Sequence, residues 1–370
     1  MSVVARYLNR MFLVRFLVIL FGVIGFATVI DLIDVGPELV TAPEGGLVAG
    51  LRYFGLRLPI MLSELMPLAA LIAGLLAVAD LLRHRELVVL WSSGVRPIAI
   101  LWMLLPAGLG LIATKLLVDD RVVPQAMAEL RVWGIGEYRH RPSEGAAGLY
   151  YWLRSGNDIV RLSANAISAG KVAELTIFRR GPDGILTERI DAATAADIEG
   201  GWRLQDVVRA RVADRTVERL PTLDWPGSID VERIQLLARP PRELELGQLY
   251  EIVAAGGYGI RAPEPYLTWL HQRIAGALVP MFLMMLAFAL VRRFSRTASI
   301  APVFMAGVAI GFTLLIASGV TSALGEVGLI RPAVAGWMPP VILGIVVLAL
   351  AMRDGWRVPR RTHADHGLVH

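Results

Sequence analysis

The sequence has no cysteine and very little lysine, and the first of these shortages removes a class of chemistry. Without cysteine the 370-residue chain can form no disulfide, no thiolate metal site and no cysteine nucleophile, although its redox compartment stays open. Lys115 and Lys171 are the only lysines, so arginine supplies nearly all of the basic charge. A net charge of +5 could suggest nucleic acid, but the arginines cluster in short loops beside apolar runs, which membrane topology explains. We therefore predict no nucleic-acid partner.

Motifs of nucleotide hydrolysis and metal-dependent proteolysis are also missing. The phosphate-binding pattern G-x-x-x-x-G-K-[ST] fails because Gly170 and Lys171 are followed by valine. The pattern H-E-x-x-H is absent, and the six histidines are scattered. We therefore predict that the chain is not an enzyme and carries no catalytic residue, metal site or cofactor of its own.

Long apolar runs dominate the chain. Apolar residues make up 55% of it, and a mean hydropathy of +0.57 indicates an integral membrane protein. A window of about 19 residues, enough to cross a core of roughly 30 Å, predicts six spans. They cover residues 11–30, 58–79, 98–118, 274–291, 300–324 and 334–352. No small-residue cleavage site follows the first run cleanly, so we predict a retained helix and not a signal peptide.

Loop charges predict the orientation of these spans. The loops on one side carry Arg6, Arg10, Arg83, Arg85, Arg96, Arg292, Arg293, Arg296, Arg353, Arg357, Arg360 and Arg361. Short loops on the other side carry only Arg52, Arg57 and Arg331, beside several acids. The positive-inside rule then predicts cytoplasmic termini, with residues 354–370 as a cytoplasmic tail. Residues 119–266 would form a periplasmic domain and connector, inserted between spans in residues 1–118 and 267–353 of an inner-membrane protein.

The inserted segment alternates between apolar and polar residues, as strands do. Turn residues at 155–158, 181–184 and 199–201 separate paired strands, which predicts an antiparallel sandwich or open barrel. An open edge or an apolar groove there would suit a neighbouring domain or acyl chains, and a closed spacer is the alternative. A helical period returns within residues 242–259, which predicts a connector helix.

Three charges fall within or beside the predicted spans. Lys115 is expected to reach the external interface and Arg15 the cytoplasmic one, because long basic side chains can snorkel. Glu64 stands between Pro59 and Pro67. It either lines a cavity or meets a partner subunit, or else it is an interfacial residue of a helix that starts near residue 65.

The stretch "LLRHRELVVLWSSGVRP", residues 81–97, interrupts two apolar runs. It predicts an amphipathic helix over about residues 82–93, far too short to span. Its polar arc holds Arg85 and Glu86 with Val89 among them, and Gly94 suits the C-terminal cap. The helix is either a surface linker or a coupling helix that docks into a separate ATPase.

Several motifs resemble, in order, the LptF/LptG permeases of the lipopolysaccharide exporter. They are "RYLNR" at 6–10, "VIDLID" at 29–34, "PLAALIAGLLAVADLLRHRELVVLWSSG" at 67–94, "VVPQ" at 122–125, "YWLRSGNDIVRL" at 151–162 and "LVPMFLMMLAFAL" at 278–290. "RELVVLWSSG" is the most specific of these and is closer to the LptG branch.

The resemblance implies an α-helical membrane protein with six transmembrane helices, three before and three after an all-β periplasmic domain that resembles a β-jellyroll. It implies an LptF-like permease partner, an LptB-like ATPase dimer that binds ATP and Mg²⁺, and an LptC-like bitopic jellyroll protein. Lipopolysaccharide would be extracted from membrane lipid and passed to a periplasmic jellyroll bridge. By the same resemblance, Arg85, Glu86, Val89 and Gly94 would couple to the ATPase, and Arg131 would meet lipid phosphates.

One departure from the family affects the lipid site. Members of the LptG branch carry lysines just after the aspartate that ends the first span, whereas this chain continues Val35, Gly36, Pro37, Glu38 after Asp34. Arg52, Arg57 or Arg131 would then supply the phosphate contacts, with Glu64 as a further candidate contact. The alternatives from other classes are a membrane-anchored periplasmic scaffold and a permease of a lipoprotein-releasing ABC system.

Overall fold

The computed structural model describes residues 3–93, 95, 97–138, 150–163, 167–168, 171–227, 239–254, 263–294 and 301–353. The chain divides into two compact units. The helical unit comprises residues 1–126, 271–325 and 329–370, and the sheet unit comprises residues 127–270 and 326–328. The predicted cytoplasmic tail at 354–370 lies outside the described residues.

Ten α-helices are described. They are α1 (Val3–Val40), α2 (Gly46–Arg83), α3 (Glu86–Ser92), α4 (Pro97–Leu117), α5 (Val123–Trp133), α6 (Leu246–Ala254), α7 (Glu264–Gly276), α8 (Val279–Phe294), α9 (Ala301–Glu326) and α10 (Pro332–Arg353). A π-helical turn, Val118–Val122, joins α4 to α5. The third predicted span therefore continues as helix well past its expected end at residue 118.

Five described helices, with α4 and α5 taken together, are long and apolar enough to cross a membrane. A sixth span results if α7 and α8, which meet at a 42° bend, count as one. The sequence predicted that span as one straight run over 274–291. The bend has a local cause, because Gly276 ends α7 and Pro280 lies in the first turn of α8. The 16 residues of α8 cover only about 24 Å, so α8 alone is too short to span.

Helices from both ends of the chain share one core. Leu8 and Phe12 of α1, Leu104 of α4 and Met284 of α8 are fully buried in it. Helices α2 and α8 approach very closely, since a Cβ atom on Gly74 would lie 2.7 Å from the Cβ of Ala287. Small residues at such contacts let helix backbones pack tightly in membranes.

Seven strands form one antiparallel sheet. They are β1 (Tyr150–Ser155), β2 (Asp158–Ser163), β3 (Ile167–Ser168), β4 (Lys171–Arg180), β5 (Leu186–Ile198), β6 (Gly201–Arg211) and β7 (Thr216–Trp225). The order is β1-β2-β4-β5-β6-β7, with β3 paired to β4. The predicted turns at 155–158, 181–184 and 199–201 are confirmed. The described strands build a single sheet and not the two sheets of a sandwich.

This sheet curls strongly. Trp225 of β7 donates a hydrogen bond from Nε1 to Asp158 Oδ2 of β2 at 2.8 Å, although four strand steps separate them. In a flat sheet those steps would cover about 19 Å. The concave face is apolar and carries Val160, Ile177 and Trp202, which are buried. The open-barrel form of the sequence prediction fits this curvature.

The connector helix is also confirmed. Helix α6 buries Leu249 and Ile252, which pack with Tyr266 of α7. Leu153 of β1 packs against the same cluster. The remainder of the predicted connector, 255–259, lies outside the described residues.

Candidate functional site

Helix α3 carries two of the four residues predicted to couple to an ATPase, Glu86 and Val89. It has seven residues, fewer than the predicted 82–93, because α2 runs to Arg83 and turns there. Arg85 forms that turn with a left-handed φ of 56°, which costs a non-glycine residue about 1–2 kcal/mol. Val89 is 64% exposed on the surface of α3. Gly94 lies outside the described residues.

The inner side of α3 is fastened to the helical unit. Leu87 is buried in the core that α1, α4 and α8 share, and Leu90 packs against that core. Glu86 accepts a hydrogen bond from Tyr7 Oη of α1 at 3.2 Å. The predicted apolar and polar arcs are thus supported at Leu87 and Leu90, and Glu86 has a contact that the sequence did not suggest.

Two further contacts hold the beginning of α1. Arg15 pairs with Asp80 near the end of α2, so its charge is neutralised by a neighbouring helix. Asn9 is buried and bonds to the backbone of α4 through Met103 and Ala107. Sequence reasoning missed Tyr7, Asn9 and Asp80, although a polar residue that borders a predicted span is a usable signal.

Two of the predicted lipid contacts, Arg52 and Arg57, lie on α2. Each already forms an ion pair with a carboxylate. Arg52 bonds Glu44 at 2.6 Å, with both side chains well exposed. Arg57 is much less exposed and lies 3.3 Å from Asp31 of α1. Tyr53 Oη donates to the same carboxylate at 2.8 Å. The structure therefore brings Arg57 together with Asp31 of the "VIDLID" motif.

Glu64 lies within a continuous α2, so the prediction of a helix that starts near residue 65 is wrong. Its side chain is exposed on the surface of this chain. It is 19 residues from the end of α2 at Arg83, a distance of about 29 Å along the axis. A charge at that position faces lipid, the interface or a second subunit.

Lys115 does not extend to water as expected. It is buried and bonds Ser63 O at 2.9 Å, Ser63 Oγ at 2.6 Å and Asp119 at 2.7 Å. The contact with Ser63 O has a clear cause. Pro67, four residues later, has no N–H to donate to that carbonyl, and Lys115 supplies the missing donor.

Arg131, near the end of α5, pairs with Glu243 of the sheet unit. Glu243 is buried, and its second oxygen, Oε2, has no hydrogen-bond partner among the described residues. Burial raises the pKa of Glu243, while the charges of Arg131, Arg239 and Arg242 oppose that rise. Three arginines around one carboxylate leave this place positively charged.

The concave face of the sheet ends in a charged rim. Glu188 accepts hydrogen bonds from Arg179 at 3.1 Å and from Arg209 at 2.6 Å.

A separate polar cavity of about 430 Å³ is lined by residues that include Arg161, Thr176 and Asp191. Among the described residues, no group of three or more His, Asp or Glu could hold a metal ion.

Comparison with known proteins identifies a family and a similar relative. The family described as "Lipopolysaccharide export system permease LptF/LptG" matches residues 6–353. The chain is similar to the lipopolysaccharide export system permease protein LptG of Haemophilus influenzae, with 19% identity over 355 residues. That alignment covers 93% of this chain and 96% of the relative.

Proposed function

Because the chain belongs to the LptF/LptG family of lipopolysaccharide export system permeases, we propose that it is a permease subunit that moves lipopolysaccharide out of the inner membrane. The single observation that carries this proposal is the family match over residues 6–353, which spans both the helices and the inserted sheet. Similarity to an LptG along nearly its whole length favours the LptG branch.

The subunit would work within an ABC transporter. Since the sequence has no P-loop, an LptB-like ATPase dimer would bind ATP and Mg²⁺ and supply the energy. An LptF-like permease would form the other half of the membrane part, and an LptC-like protein would receive the lipid. The chain itself is a transport subunit and not an enzyme.

Helix α3 would be the contact with the ATPase. Exposed Val89 offers an apolar contact, and Arg85 beside it offers a charge. Leu87 and Leu90 fasten the opposite side of α3 to the main core, so a force on α3 reaches the spans. The arginine-rich ends of the helices support a cytoplasmic position for α3 and an external position for the sheet.

Anionic lipid groups would compete with acids already bound to the candidate arginines. Glu44, Asp31 and Glu243 each occupy one of them. A phosphate with a charge of nearly −2 can displace a single carboxylate from a guanidinium, since bidentate Arg–phosphate pairs are strong. Arg131 has the most positive surroundings and is the first candidate for this exchange.

Reconstitution tests the proposal directly. The chain is co-expressed with LptF-like and LptB-like partners and purified, and we expect lipopolysaccharide-stimulated ATP hydrolysis. A photo-crosslinking amino acid at Arg131 is expected to capture lipopolysaccharide in the assembled complex. A chain that purifies alone and captures no lipid would overturn the transport function.

A point substitution tests the coupling role of α3. Glu86→Ala should leave membrane insertion intact but release or uncouple the ATPase. Asp34→Ala is the matched control, because Asp34 is an exposed acid beyond the opposite end of the first predicted span. Equal ATPase retention in the two variants would contradict the role of Glu86.

A further inference from the structure

Asn9 is inserted into the hydrogen-bond ladder of α4. Its Nδ2 donates to Met103 O at 2.6 Å, and the backbone N–H of Ala107 donates to its Oδ1 at 2.9 Å. Met103 and Ala107 are four residues apart, so in a regular helix they would bond directly to each other. Nδ2 also donates to Ala5 O at 2.6 Å, which uses its second hydrogen. The amide of Asn9 thus binds both backbone groups of one rung of α4 from α1.

The bridge occurs where α4 is already weak. Pro106 has no N–H, so the carbonyl of Trp102 also lacks its regular helical donor. Of two consecutive rungs in this helix, one therefore lacks its donor and the next is bound by Asn9. If Asn9 withdraws, Met103 O and Ala107 N can bond directly, and α4 gains a regular rung. Two discrete hydrogen-bonded arrangements are therefore open to this segment, one with Asn9 inserted and one without it, and such an element can switch.

The same end of α1 also holds the coupling helix. Tyr7, two residues before Asn9, donates to Glu86 at 3.2 Å. Arg15 pairs with Asp80 and fixes the next turns of α1 to α2. A displacement of α3 that moves Glu86 therefore reaches Tyr7 first, and Asn9 follows because both lie on one rigid helical turn.

We propose that the first turns of α1 are a second coupling element, in which Asn9 carries the displacement of α3 into α4. This inference rests on the proposed function, since it assumes that an ATPase moves α3. Asn9 is a positioning residue: entry of its amide opens the rung between Met103 and Ala107, and withdrawal closes it. Without this movement of Asn9, ATP hydrolysis would displace α3 but leave α4 in a single conformation.

The test measures lipid moved for each ATP hydrolysed. The complex with LptF-like and LptB-like partners is placed in proteoliposomes, and ATP hydrolysis and lipopolysaccharide release to a soluble acceptor are measured together. Asn9→Ala lets α4 close its own rung, so we expect lipid per ATP to fall by at least about fivefold. The rate of ATP hydrolysis should stay within about twofold of the parent complex, because the substitution leaves α3 in place. A change of that size is smaller than the roughly fivefold at which typical coupling effects begin.

Two further variants separate coupling from folding. Tyr7→Phe removes only the hydroxyl that binds Glu86, and it should lower lipid per ATP in the same direction. Thr28→Val is the control on α1, because the Thr28 hydroxyl bonds Ile24 O of its own helix at 2.8 Å and Met61 Sδ of α2 at 3.6 Å, and neither partner belongs to α3 or α4. Should Asn9→Ala prevent assembly of the complex, Tyr7→Phe decides the question.

Each outcome has one meaning. Lipid per ATP within twofold of the parent in both Asn9→Ala and Tyr7→Phe would overturn the second coupling element while leaving the permease function intact. A proportional loss of hydrolysis and release would show a structural role only, and would also overturn it. A parent complex that releases no lipopolysaccharide would instead overturn the proposed function.

Discussion

Lys115 should be one of the most sensitive positions in the helical unit. Lys115→Met removes the donor to Ser63 O and the cation beside Asp119. An unsatisfied buried carbonyl costs about 1–3 kcal/mol, and a broken buried pair costs about 3–5 kcal/mol. Asp119 keeps some contact with solvent, so the lower figures apply, and we expect a loss of about 4 kcal/mol in the free energy of unfolding.

Pro67 provides a way to separate the two contributions. Pro67→Ala restores an N–H that can bond Ser63 O, so in the Lys115→Met background it should recover about 1–3 kcal/mol. Asp119→Asn, added to that background, should recover part of the remainder by removing the unpaired charge. A double-mutant cycle isolates each coupling.

The measurement is SDS titration of the purified protein in mixed micelles, followed by tryptophan fluorescence. Thr313→Val is the control, because the Thr313 hydroxyl is exposed and bonds only Ala309 O of its own helix among the described residues. The reasoning is refuted if Lys115→Met costs under about 1 kcal/mol, or if Pro67→Ala recovers nothing in its presence.

Two more predictions concern burial. Because burial raises the pKa of Glu243 in the folded protein, its ionised form is disfavoured there, and the stability it contributes falls as pH rises through that pKa. Glu243→Gln should therefore gain stability relative to the parent between about pH 4 and pH 7 in thermal unfolding, whereas a loss over that range would show that the Arg131 pair dominates. Gly74→Val should cost about 1–3 kcal/mol, because its Cβ would lie 2.7 Å from that of Ala287. Gly22→Ala, on α1 where a Cβ meets nothing within 4 Å, should be neutral or stabilising in the same SDS titration.

The sequence was informative wherever a local pattern decided the structure. Turns with Gly and Asp predicted three strand pairs, and the apolar period predicted α6, because both signals act within a few residues. Partners across helices were not predictable in the same way. Nothing near Lys115 in the chain indicates Ser63, which is 52 residues away.

A physical rule could have found part of that missing information. Each proline within an apolar helix leaves one carbonyl without a donor, so Pro67 pointed to Ser63 as a place that needs one. The position of Asn9 beside a predicted span signalled a polar contact, but its partners on α4 were not predictable, because they depend on the packing of α1 against α4. The bend between α7 and α8 was signalled by Gly276 and Pro280, but the continuous apolar run obscured it.

The close packing of Gly74 against Ala287 also limits how a transport pathway can open. It joins helices that come before the inserted sheet to helices that come after it, through a contact with no room for sliding. Helices α2 and α8 are therefore expected to move together, unlike the repeats of many secondary transporters, which rock against each other. Alternating access would then keep α2 and α8 together while α4 changes conformation, with the cavity opening along a seam between two different chains.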